Sequence, residues 1–78
     1  MKWSKALKQI ETALAQGKEV KVRYHRKWTR NENELDKIGT VDSVNSYDWC
    51  GQTCEAVYLW GIDSLDEGNY IIDEVMEA

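Results

Sequence analysis

The apolar residues of this chain change their period once, at Gly17, and that change sets the order of elements from which a fold can be built. Before it, Trp3, Leu7, Ile10, Ala13 and Leu14 recur at helical spacing and share one face, while Lys5, Lys8, Gln9, Glu11 and Thr12 fill the others. Ser4 supplies a capping hydroxyl at the start, and Gly17 can take the left-handed conformation that stops a helix. The spacing predicts a helix over residues 4–16 that covers one face of a sheet.

After Gly17 the period is two. Val20, Val22 and Tyr24 alternate with Lys21, Arg23 and His25, a strand with one apolar and one basic face, and Trp28 continues the apolar register beyond Arg26. TRNENELD, residues 29–36, is polar and reads as a loop. Ile38 to Val44 reads as a second strand with apolar residues every three positions, and Gly39 as a bulge that resets the alternation. NSYDWCGQTC, residues 45–54, reads as a turn-rich connection with room for a short strand turn of its own, Ala56 to Ile62 as the most apolar and central strand, Asp63 to Asn69 as a turn, and Tyr70 to Met76 as the last strand. One helix followed by four to five short strands predicts an α+β fold, the helix packed on an antiparallel sheet that is strongly curved or rolled into a small open barrel. The 78 residues suffice for one domain, 1–78, and not for two.

A helix followed by GKEVKVRYH, a loop, VDSV, AVYLWGID and NYIIDEV resembles the WYL domain over nearly the whole chain. The naming tripeptide falls on Val57, Tyr58 and Leu59, and Glu74 stands where the family's late strand carries an Arg. The resemblance implies a small Sm-like or SH3-like barrel of the kind common in bacterial transcription regulators and defence-associated proteins. It also implies a nucleic acid or nucleotide-like ligand held by basic side chains.

Charge is divided by position. Residues 1–30 hold nine of the ten basic side chains against two acids, a surplus of seven positive charges, and residues 31–78 hold Lys37 against twelve acids, a surplus of eleven negative ones. Such asymmetry concerns what a surface attracts or repels, so it points to a charged partner more than to a reaction. The longest apolar runs are a few residues and the amino terminus carries no apolar secretion signal, so the expected location is cytoplasmic, without a membrane.

Motifs for chemistry are sparse, and no enzyme, cofactor or metal is expected. His25, the one histidine, has basic neighbours in sequence and nothing beside it to orient a general base. WCGQTC places Cys50 and Cys54 one residue too far apart for the Cys-x-x-Cys redox motif, and no helix pattern follows to lower a thiol pKa. Zinc would need two further ligands, for which His25 and Asp48 are a thin set. The five glycines are dispersed singly, so no phosphate-binding loop exists.

The remaining signal is binding. The favoured expectation is an acidic face that engages a basic surface of another protein, with Trp49 and Trp60 as anchors and Asp63, Asp66, Glu67, Asp73 and Glu74 as the carboxylates. In size and charge the chain resembles the small inhibitors that phages direct against host nucleic-acid-binding factors, CRISPR effectors among them. The alternative expectation is a nucleic-acid surface on the basic strand 18–30, built from Lys21, Arg23, His25, Arg26, Lys27, Trp28 and Arg30, with cations on phosphates and aromatics stacked on bases.

Overall fold

The structure is a computed structural model and describes residues 1–28, 35, 37–61 and 64–77. Helix α1 (Trp3–Ala15) is followed by β1 (Val20–Arg26), β2 (Lys37–Trp49), β3 (Gln52–Leu59), β4 (Leu65–Asp66) and β5 (Tyr70–Glu77). The strands form one antiparallel sheet in the order β4-β3-β2-β1-β5. The α+β expectation holds, while the rolled-barrel form of it does not: β4 and β5 are the sheet's two edges.

The helix buries Ala6, Leu7, Ile10 and Ala13 and packs chiefly on β5, with β1 and β2 also in reach. Beneath it lie Val20, Val22 and Tyr24 of β1, Val41 of β2, Val57 and Leu59 of β3, Leu65 of β4, and Ile72 and Val75 of β5. Trp3 and Leu14 pack at the margin of this core. Because Trp3 is drawn onto the core, the helix begins one residue before the predicted span, and its N-cap lies two residues before Ser4. Lys2 takes the N-cap position without a side-chain bond, and Ser4 sits inside the first turn. The other end behaves as read. Gly17 has φ +75°, Gly17 N–H donates to Leu14 O at 3.0 Å, and Lys18 N–H donates to Ala13 O at 3.1 Å, the paired bonds of a Schellman stop.

Strand β2 divides its pairing between two neighbours. Its first part, Lys37–Thr40, pairs with β1, and its second, Val41–Trp49, pairs with β3. Gly39 is not the bulge: the ladder runs through it without a shift, and the register slips at Asp42, between Val41 and Ser43. Gly39 is instead a close approach, since an added Cβ would stand 2.7 Å from Leu59 Cδ1 and 3.4 Å from Tyr24 Cε1.

Three further expectations change. Residues 45–54 are a continuous hairpin, in which Asn45 to Trp49 pair with Gln52 to Ala56. Cys50 (φ +50°) and Gly51 (φ +79°) form its two-residue turn, the positive pair that matches the twist of a tight hairpin. Strand β3 is not central; β2 is, because β4 adds only two residues on one side while β1 and β5 extend the sheet on the other. Trp28 does not continue the apolar register and is 83% exposed, since β1 ends at Arg26. The predicted loop 29–36, apart from an exposed Leu35, and the predicted strand end at Ile62 lie outside the described residues.

Candidate functional site

In an antiparallel ladder paired residues share a face, and so do residues two apart along a strand. Tyr47 pairs with Cys54, Trp49 with Gln52 and Tyr58 with Ser43, which sets Tyr47, Trp49 and Tyr58 on one face, opposite the buried Val57 and Leu59. Trp60 extends the row, because its N–H donates to Thr40 O at 3.0 Å and it stands two residues beyond Tyr58. Trp49 and Trp60 are 66% and 65% exposed. They mark opposite ends of the face, roughly 26 Å apart at about 3.3 Å per residue, with the two tyrosines between them. Ala56 pairs with Asp66 of β4, which brings that carboxylate to the middle of the same face.

The electrostatics agree with this placement. The Tyr47 phenol is pushed above the usual tyrosine range, first by desolvation and then by Cys54, Asp66 and Tyr58 nearby. Tyr47 therefore remains a neutral hydroxyl donor throughout the physiological range. From Ile38 onward the chain has no Lys, Arg or His, so the paired stretch Val41–Leu59 carries Asp42, Asp48 and Glu55 and no cation.

Of the predicted acids, Asp66 and Glu67 lie near this face and Asp73 and Glu74 do not. The last two are on β5, across the sheet, where a slip in register lets both point outward in succession. Glu74 Oε2 is 3.8 Å from Arg23 Nη2, and Asp73 Oδ2 is 2.7 Å from His25 Nδ1. The latter is a hydrogen bond between the imidazole ring and the carboxylate. The guanidinium of Arg26 lies 5.7 Å from the Tyr70 ring centre, in cation–π range. Lys21, Lys27 and Trp28 are exposed. The basic strand and two of the predicted acids therefore form a single mixed surface. Asp63 and Arg30 lie outside the described residues.

A groove of about 520 Å³ separates the first turns of α1 from the hairpin, with Trp3, Leu7, Tyr47 and Cys54 among its walls. Glu67 and Gly68, in the turn between β4 and β5, close one end. Both cysteines are free thiols, Cys50 exposed in the turn and Cys54 half-buried on the aromatic face. No cluster of three metal-ligating side chains occurs among the described residues, and His25 is already engaged by Asp73. No helix among them is long and apolar enough to cross a membrane.

Tyr47 and Tyr58 were not singled out from sequence. The signal was present: Tyr47 and Trp49, like Tyr58 and Trp60, stand two apart, and a Cys-Gly pair between the two runs marks a hairpin turn. Comparison with known proteins finds no family whose pattern this chain matches, no curated relative and no similar solved structure.

Proposed function

We propose that this chain acts by binding, as a module or inhibitor that engages a basic surface of another protein through the outer face of the β2–β3 hairpin. The observation that carries the reading is the exposure of Trp49 and Trp60 on a face shared with Tyr47 and Tyr58, where the paired stretch Val41–Leu59 holds no cation. Aromatic rings supply most of the energy of an interface once their surroundings become dry, and their faces also attract Arg and Lys. Carboxylates steer such a partner and set the salt dependence of the encounter. On a partner that holds nucleic acid, the same surface competes for the basic groove.

A second reading, a WYL-like nucleic-acid or nucleotide-binding role for the basic strand, draws on the exposure of Lys21, Lys27 and Trp28. The contacts of Arg23 and His25 with Glu74 and Asp73 count against it, because both side chains already face carboxylates.

The test is capture of protein partners from nuclease-treated extract of the source cell, with three variants in parallel. Trp49→Ala with Trp60→Ala is expected to lose the partner, and Glu67→Lys to weaken capture. Glu67 is a cleaner reversal than Asp66, whose carboxylate accepts two bonds from the Asn69 amide, at 3.2 and 3.0 Å, and so holds the β4–β5 turn. Arg23→Glu with Lys27→Glu is expected to leave capture intact. Binding of short single-stranded DNA or RNA at about 0.15 M salt, abolished by reversing Arg23 and Lys27, overturns the proposal in favour of the second reading.

A further inference from the structure

Strand β4 leaves the sheet early. It pairs with β3 only through Ala56↔Asp66 and Val57↔Leu65. The next residue, Glu67, would stand opposite Glu55, but the chain turns away, and Asn69 N–H closes that turn on Asp66 O at 3.3 Å. Strand β3 nonetheless runs on through Gln52–Glu55, and among the described residues no strand pairs with the far edge of this stretch. The groove beside α1 lies along it: Gln52, Thr53, Cys54 and Glu55 all line it. Side chains of a strand alternate between faces, so four consecutive residues bordering one groove mean that the groove follows the strand's edge.

We propose that this edge accepts an extended segment of the partner as an added strand, continuing the line of β4, with basic and apolar side chains in alternation. The proposal rests on the reading of a basic protein partner and specifies how part of that partner is held. Four residues of open edge span about 13 Å and offer the N–H and C=O groups of alternate residues. The added side chains would meet Glu11, Glu55 and Glu67 against the single cation Lys8, and the rings of Trp3 and Tyr47, so the groove favours cations with apolar residues between them.

The two edges of the sheet differ in a way that supports the choice. Exposed edges are commonly protected by bulges, charges or Pro. Strand β5 carries a register slip beside Arg23 and Tyr24, and the acids Asp73, Glu74 and Glu77. The Gln52–Glu55 edge has no slip, no Pro and no Lys, and its one charge, Glu55, matches the occupant proposed.

The experiment uses the full chain and three capped peptides: Arg-Val-Arg-Val-Arg-Val, and two counterparts methylated on alternate backbone nitrogens, one for each edge of the peptide. Charge and side chains are the same in all three, so only backbone pairing differs. Amide shifts and hydrogen exchange are followed by NMR. The parent peptide is expected to slow exchange at Gln52–Glu55, and one methylated counterpart to bind roughly tenfold more weakly, as the loss of one or two hydrogen bonds requires. If both counterparts bind as the parent does, with shifts at Trp49, Tyr58 and Trp60, the added strand is overturned and binding through the outer face stands. If no peptide at about 1 mM moves any amide, the added strand is overturned and the basic-partner reading falls with it.

Discussion

The β1–β5 ladder and the β2–β3 hairpin are both antiparallel ribbons, and they use their two faces in different ways. In the first, one face is buried through Val22, Tyr24, Ile72 and Val75, while the other sets Arg23 against Glu74 and His25 against Asp73. In the second, burial stops near Val44 and Val57, and Asn45 to Thr53 are exposed on both faces. A two-stranded ribbon gains little stability without a buried face. The hairpin beyond Val44 is therefore an extension that the core does not need, and it displays Tyr47 and Trp49 to solvent. The comparison also accounts for the charge division along the sequence. Folding lays the basic strand beside the acidic last strand, so opposite charges meet on one surface, while the paired stretch Val41–Leu59 of the hairpin carries acids and no cation.

The widest separation expected between the two regions is in stability. Ile10 is fully buried against the sheet, so Ile10→Ala removes transfer energy and leaves a cavity, at an expected cost of about 2–5 kcal/mol. Trp49→Ala and Trp60→Ala, though they remove far larger side chains, are expected to change stability by no more than about 0.5 kcal/mol, because those rings stand in water. Urea melts of the three variants measure the contrast. A loss at Trp49 comparable with that at Ile10 breaks it, and would mean that the hairpin tip folds back onto the body.

How much could be read from sequence follows the same boundary. Where one face is buried, the pattern carries the fold: Leu7, Ile10 and Ala13 on the helix and Val20, Val22 and Tyr24 on β1 were all recognisable by spacing, and all are buried. Where both faces are wet, burial imposes no alternation, so Asn45–Trp49 looked like a loop although cross-strand pairing and the Cys50–Gly51 turn hold it as a strand. Leu65 was hidden for another reason. A two-residue strand has no period, and its burial comes from pairing with Val57. The outward pointing of both Asp73 and Glu74 depends on a slip in register that no local propensity announces. For the binding face, Trp49 and Trp60 were visible as residue types, whereas their alignment with Tyr47 and Tyr58 needed the register.

A smaller effect tests whether the hairpin opens independently of the body. Gly51 sits at φ +79°, where a Cβ is strained by about 1–2 kcal/mol. Because the tip is exposed, Gly51→Ala is expected to be felt locally, as roughly 5–30-fold faster amide exchange in the paired residues around the turn, with the global melt nearly unchanged. Cys50→Asn acts in the opposite direction, since Asn-Gly suits this turn better than Cys-Gly. Loss of the full strain energy from global stability would show instead that tip and core unfold as one unit.

The smallest effect concerns Tyr47 and checks the face itself. Its phenol is raised by desolvation first, and then by Cys54, Asp66 and Tyr58. A raised acid prefers its protonated form in the folded chain, so as pH rises the unfolded chain releases that proton first. The stability this group contributes is complete below the ordinary tyrosine value of about 10 and is lost as pH climbs through the raised one. Wild type is therefore expected to lose stability more steeply than Tyr47→Phe above about pH 10, and to run parallel with it below that value. The difference is small, since the ring is exposed. It is still informative, because a raised Tyr47 phenol reports a ring partly withdrawn from water with Cys54, Asp66 and Tyr58 nearby. Parallel alkaline melts for the two proteins would show instead that folding leaves the Tyr47 phenol as solvated as the unfolded chain does, and that the ring stands in water like Trp49 and Trp60.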